Sequence, residues 1–170
     1  MEIKGRFKNQ HVLITGAARG IGFEIAMHFA REGAYLSIID NHSENLTKAV
    51  SALKKEAKKV WGDQVDVSNR KMVFEAVDKI ESRFPVDVLI NNAGIAMEQP
   101  FLEIEEKDWN RILEINLSGM FHMSQAVCRK MVVRKKGVVV NMGSKNGMDG
   151  EAGYAHYNTS KGGVIMLTKT

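Results

Sequence analysis

The segment Thr15-Gly16-Ala17-Ala18-Arg19-Gly20-Ile21-Gly22 decides the fold, because a glycine-rich turn there opens directly into a helical pattern. Just before it, His11 to Thr15 is a short, largely apolar run that reads as a strand. Just after it, Gly20 to Glu32 carries apolar residues at helical spacing. Glycines let such a turn close tightly and let backbone N–H groups approach a pyrophosphate, whose charge then sits at the positive end of the helix dipole. Gly16, Ala18, Arg19, Gly20, Ile21 and Gly22 are therefore candidate contacts to a dinucleotide. Many strand-to-helix turns carry glycine for steric reasons alone, so the decision falls to the flanking sequence.

Working outward, the same alternation repeats along the chain. Ala34 to Asp40, Val60 to Val65, Val86 to Asn91 and Gly137 to Met142 are further strand candidates, mostly rich in Val, Ile or Leu. Strands that are covered on both faces should look like this. Between them, Ser43 to Lys58, Ser68 to Phe84 and Glu105 to Val133 read as helices, with Ser43 and Ser68 as expected N-caps. A last helix is expected from near Tyr157 through Ile165 and Leu167. The pattern predicts an α/β fold: a Rossmann-like, doubly wound parallel sheet with helices on both faces. One domain over residues 1–170 is expected, and five strands followed by an unfinished helix suggest that its C-terminal strands are missing.

The second strand candidate ends in Asp40, where the adenine ribose of a bound dinucleotide would lie. A carboxylate there accepts bonds from the ribose hydroxyls and repels a 2'-phosphate, which favours NAD over NADP. Arg19 argues for NADP, since a guanidinium could pair with that phosphate. Asp40 prevails because its repulsion is direct, whereas Arg19 can face solvent or the pyrophosphate. Asp66 and Val67 follow the third strand, and Asn92, Ala93 and Gly94 follow the fourth, so each strand delivers small or polar residues at its C-terminal end. Open α/β sheets bind ligands at that end. The structural alternative has Asp66 capping a helix and Asn92 and Gly94 forming a turn.

Composition narrows the functional classes. At 170 residues, 44% hydrophobic and 26% charged, the chain is in the ordinary range for a soluble globular domain. The net charge of +4 is scattered rather than gathered into a basic stripe, which argues against nucleic acid. No run of 18 apolar residues occurs, so no membrane span is expected. The lone Cys128 cannot form an internal disulfide or by itself a thiolate metal site; no metal is expected, and a reducing cytoplasm fits.

The chemistry lies in Tyr157-Asn158-Thr159-Ser160-Lys161, with Ser144 thirteen residues before the tyrosine at the end of the fifth strand candidate. On a helix, a spacing of four puts the Tyr157 phenol and the Lys161 ammonium on one face. A nearby positive charge favours the phenolate and suits the phenol to acid–base work near neutral pH. Ser144 is then placed to hydrogen-bond a substrate oxygen.

Taken together, Thr15 to Gly22, Asn91 to Gly94, Asn116, Ser144 and Tyr157 to Lys161 resemble the short-chain dehydrogenases/reductases, and the match runs the length of the chain. The resemblance implies a nicotinamide-dependent enzyme interconverting a secondary alcohol and a ketone. Tyr157 would be its general acid/base, and Ser144 would polarise the carbonyl. Lys161 would hold the nicotinamide ribose, and Asn116 would hold a proton-relay water. Taken alone, Asn116 reads as a buried amide with a structural bond inside an apolar helix. The resemblance also implies a homo-oligomer, dimer or tetramer, built on the helices at about Glu105 to Val133 and from Tyr157 onward. Similar proteins continue past the tyrosine helix with more strands and a substrate-covering segment, without which hydride transfer would be poorly shielded. Beside the oxidoreductase stands a second reading, a non-catalytic dinucleotide-binding or assembly module. Retention of Ser144, Tyr157 and Lys161 favours the enzyme. Sugars, polyols, steroids and 3-oxoacyl thioesters are all compatible substrates, with a polyol or sugar acid preferred.

Overall fold

The computed structural model describes residues 5–170. Five parallel strands form one sheet in the order β3-β2-β1-β4-β5: β1 His11–Thr15, β2 Tyr35–Asp40, β3 Val60–Gln64, β4 Val88–Asn91 and β5 Val138–Asn141. Strand order reverses beside β1, so the gap between β1 and β4 at their C-terminal ends is the crevice in which such sheets hold ligands. Register is continuous across it, with Val12 opposite Val88 and Ile14 opposite Ile90.

Side chains alternate between the two faces of the sheet, and both faces are packed. Val12, Ile14, Leu36, Ile38 and Ile90 meet Ala26 and Ala30 of α1 (Gly20–Arg31) and Leu46, Ala49 and Leu53 of α2 (Ser43–Leu53). Leu13, Ile39 and Leu89 meet Val73, Val77 and Ile80 of α3 (Arg70–Arg83) and Met123, Val127 and Met131 of α5 (Gly119–Arg134). The edge strand β5 is less covered, and its Val138 and Val140 are exposed.

The helix ends differ from expectation. α2 stops at Leu53, not Lys58, because the N–H groups of Glu56 and Ala57 both return to the Leu53 carbonyl in a tightening turn. Lys59 then leaves to lie over the Phe84 ring, 3.9 Å from its centroid. Neither expected serine cap is used. His42 Nδ1 accepts from Asn45 N–H at the start of α2, and Asn69 Oδ1 accepts from Met72 N–H at the start of α3. The expected long helix is α4 (Glu106–Leu113), a π-helical turn over Glu114–Ser118 and α5 in unbroken succession. Such wide turns often mark functional positions, and this one carries Asn116. The last helix, α6, spans Ala155–Lys169 and packs against α4 and the π turn.

Candidate active site

The glycine turn is clamped to the end of β4. Thr15, almost wholly buried, accepts on its hydroxyl from the Asn92 N–H at 2.9 Å and the Ala93 N–H at 2.8 Å. Asn92 returns the connection, its amide nitrogen donating to the carbonyls of Thr15 and Gly16, each at 3.0 Å. The approach is so close that side chains are excluded. A Cβ on Gly16, whose φ is +62°, would stand 2.8 Å from Ala93 Cα, and one on Gly22 would stand 2.4 Å from the Gly16 carbonyl oxygen. The glycines therefore serve two ends: Gly16 supplies a left-handed conformation and Gly22 lets α1 pack against the turn.

A cleft of about 570 Å³ opens above this clamp, within the range of roughly 300–1,000 Å³ usual for small-molecule sites. Gly16, Arg19, Gly20 and Ile21 line one wall. Asp40, Asp66 and Val67 line the next, and Asn92, Ala93, Gly94, Tyr157 and Lys161 also face the cleft. Ala18 and Gly22 do not line the cleft. The Ala18 N–H donates to Asp40 Oδ2 at 3.1 Å, and the His42 N–H donates to Oδ1 of the same carboxylate at 3.0 Å. Asp40 is thus pinned from both sides at the tip of β2. Asp66 Oδ1 accepts from the backbone and hydroxyl of Ser68, a turn-capping arrangement, while the residue still faces the cleft.

Tyr157 and Lys161 meet as the helical spacing predicts, with Lys161 Nζ 5.7 Å from the phenol ring centroid. Lys161 is nearly buried, and its ammonium donates to the Met142 carbonyl at 2.7 Å, the end of β5. Burial pushes its pKa below the ordinary lysine value, since the charged form is poorly solvated there. One bond leaves two ammonium hydrogens free to meet a ligand. Ser144 does not line the cleft. Its hydroxyl caps the short turn Lys145–Gly147, accepting from Asn146 N–H at 3.2 Å and donating to Asn146 Oδ1 at 3.3 Å.

Asn116 is wholly buried and also lies outside the lining. The structural alternative placed its bond within the helix, but the bonds leave it. Oδ1 accepts from Ile95 N–H and Nδ2 donates to the Ile95 carbonyl, both at 2.8 Å, and Nδ2 also reaches Ser160 Oγ of α6 at 3.2 Å.

A family model described as short chain dehydrogenase matches residues 10–170. The chain belongs to the short-chain dehydrogenase family. Among its relatives, the 3-oxoacyl-[acyl-carrier-protein] reductase FabG of Thermotoga maritima is 37% identical over 166 residues. The match covers 97% of this chain and 68% of that protein. The 5-keto-D-gluconate 5-reductase of Escherichia coli K12 is 39% identical over 161 residues, covering 94% of this chain and 63% of the relative. The crystal structure of NAD+-bound xylitol dehydrogenase superposes with a TM-score of 0.94 at 34% identity, covering 96% of this chain and 64% of the other. The chain thus spans about two thirds of the length of the relatives it matches.

Several further residues line the cleft without carrying a motif. Asn41, Met142 and Gly143 do so because they follow directly on β2 and β5, and Ile95 because it continues the loop that leaves β4, so position after a strand end was the signal that could have found them. Among the described residues, no group of three or more His, Cys, Asp or Glu side chains is placed to hold a metal ion. No described helix is long and apolar enough to cross a membrane.

Proposed function

We propose that the protein interconverts a secondary alcohol and a ketone by hydride exchange with NAD, using Tyr157 as general acid/base. The observation that carries this reading is the pairing of the Tyr157 phenol with a buried Lys161 ammonium in the wall of the cleft that Gly16 and Arg19 also line. NAD fits what the residues offer: a glycine cradle with no room for side chains, a helix N-terminus, and a carboxylate at the tip of β2. Gly16, Arg19, Gly20 and Ile21 would hold the pyrophosphate, Asp40 the adenine ribose, Asp66 and Val67 the adenine, and Asn92 to Gly94 the middle of the molecule. When bound, NAD supplies the hydride acceptor.

The chain's own residues carry the proton. Tyr157 takes it from the alcohol hydroxyl, or returns it to the ketone oxygen. Lys161, anchored by the Met142 carbonyl, keeps two donors for the ribose hydroxyls. Ser144 orients the substrate oxygen; its present bonds of 3.2 and 3.3 Å are long for a hydroxyl and are exchanged at little cost. Asn116 serves the proton route by holding the Ile95 loop against α6, with one Oδ1 lone pair left for a relay water.

Asp40 supports NAD over NADP by repelling a 2'-phosphate, and the NAD+-bound neighbour agrees with that preference. A polyol or sugar acid is the proposed substrate class, in keeping with relatives named for 5-ketogluconate and xylitol. A homo-oligomer is proposed through α4–α5 and α6, where Phe121, Val132, Val133 and Met166 expose apolar surface. Replacing Tyr157 by Phe tests the central assignment. Turnover on a panel of secondary alcohols should vanish while calorimetry finds NAD affinity within about threefold of the parent. Parental rates in Tyr157→Phe would remove the phenol from the reaction.

A further inference from the structure

We propose that His156 is a positioning residue for Tyr157, held by a one-way hydrogen-bond relay that begins at Asp108 and passes through Gln99. The inference rests on the reading that Tyr157 exchanges the proton, and it adds what fixes the phenol in place.

The first N–H groups of a helix have no partner within it. α6 starts with Tyr154 in the capping position and no side-chain cap. His156 fills the gap: its Nδ1 stands 2.9 Å from the Tyr157 backbone nitrogen, and its ring is completely buried. A backbone N–H only donates, so Nδ1 must be bare and the ring proton must sit on Nε2. Nε2 lies 3.1 Å from Gln99 Oε1 and donates to it. The Gln99 amide nitrogen then donates to Asp108 Oδ2 at 3.0 Å. Turning that amide over would set nitrogen against Nε2–H and oxygen against a carboxylate, two repulsive contacts, so the direction is unique. The carboxylate at the far end dictates the tautomer of the histidine.

Two facts tie the relay to the phenol. Among the described residues the Tyr157 hydroxyl makes no hydrogen bond, so the side chain is located from its backbone end and by the Tyr154 ring, packed edge-on with centroids 6.2 Å apart. The Gln99 N–H also donates to the Gly153 carbonyl at 2.8 Å, immediately before Tyr154. Asp108 on α4, the loop after β4 and the first turn of α6 are therefore one unit around Tyr157. With both ring nitrogens engaged and no exposure, His156 has no free atom for acid–base work or metal binding.

The test combines nitrogen-15 histidine NMR, tyrosine ring NOEs and kinetics in the protein and four variants. The parent should show His156 as the neutral Nε2–H tautomer at neutral pH. Gln99→Met and His156→Leu should lower kcat between about 10- and 100-fold, as a misplacement near 1 Å does. NAD affinity should stay within twofold, and the Tyr154–Tyr157 ring NOE should weaken. Asp108→Asn, which retains an acceptor oxygen, should recover most of the rate that Asp108→Leu loses. A merely structural role would lower melting temperature without separating kcat from NAD affinity. An Nδ1–H tautomer, an imidazolium, or parental kcat and NOE in both Gln99→Met and His156→Leu would overturn the proposal. If the parent turns over no alcohol, hydride exchange is refuted, whereas the tautomer and the NOE still decide the relay.

Discussion

Replacing Thr15 by Val separates the clamp beneath the cleft from everything else the turn does. Valine keeps the shape and removes the acceptor. The hydroxyl is the partner of two backbone N–H groups, those of Asn92 and Ala93, in a position only 1% exposed. Leaving a buried donor unmatched costs about 1–3 kcal/mol, so the pair costs about 2–6 kcal/mol. Against a total stability of roughly 5–15 kcal/mol the loss is large. At about 2–4 °C per kcal/mol for a chain of this size, the melting temperature should fall by at least about 4 °C. Thr15→Ser is the control: it keeps the acceptor, loses one buried methyl and should cost about 1 kcal/mol. Urea unfolding of the three proteins, with slopes compared to exclude a change of mechanism, gives the numbers. NAD affinity should fall in the valine variant alone, because Ala93 and Gly16 would drift apart. A valine variant within about 1 kcal/mol of the serine variant would refute the clamp.

Asp40→Ala should relax the preference for NAD over NADP, read as the ratio of the two dissociation constants, and an unchanged ratio would count against the carboxylate as the discriminator. Acid should weaken the protein through His11, whose ring is buried between the Phe84 carbonyl and the Ser37 hydroxyl at 2.8 and 2.9 Å. Burial pushes its pKa below the ordinary value. The unfolded chain therefore binds the proton more readily, so the contribution is complete above about pH 6.5 and is lost as pH falls through the lower folded value. Urea midpoints at pH 7 and pH 5 should differ more for the parent than for His11→Gln; equal differences would absolve the histidine. Asp63 and Asp87 respond only further down. For both, burial would raise the carboxyl, yet hydrogen bonds from Arg83 and Lys79, and from Lys136 and the His11 backbone, leave them below the usual range.

What could be read from the letters was whatever depends on neighbours along the chain. β1 appears with the expected bounds, His11 to Thr15, because a run covered on both faces announces itself by composition. Tyr157 and Lys161 share a face because helical geometry converts a spacing of four into proximity. The departures arise either where a neighbouring residue takes the expected bond or where the partner lies far along the chain. Ser43 and Ser68 are reasonable caps by type, but His42 and Asn69 reach the open N–H groups instead. Nothing in the apolar run around Asn116 tells that its amide crosses to Ile95, 21 residues away, or that a π turn aims it there. Ser144 bonds its own turn, and His156 carried no motif at all, since its partners Gln99 and Asp108 come together only after α4 and α6 pack.

Isotope transfer from substrate to NAD is the most direct trial of the mechanism. A secondary alcohol carrying deuterium on its carbinol carbon is incubated with the protein and NAD, and the reduced dinucleotide is weighed by mass spectrometry. Direct hydride exchange gated by Tyr157 predicts one deuterium per reduced dinucleotide in the parent and no labelled product with Tyr157→Phe. Reduced dinucleotide without the label, or equal labelling by the phenylalanine variant, would contradict it.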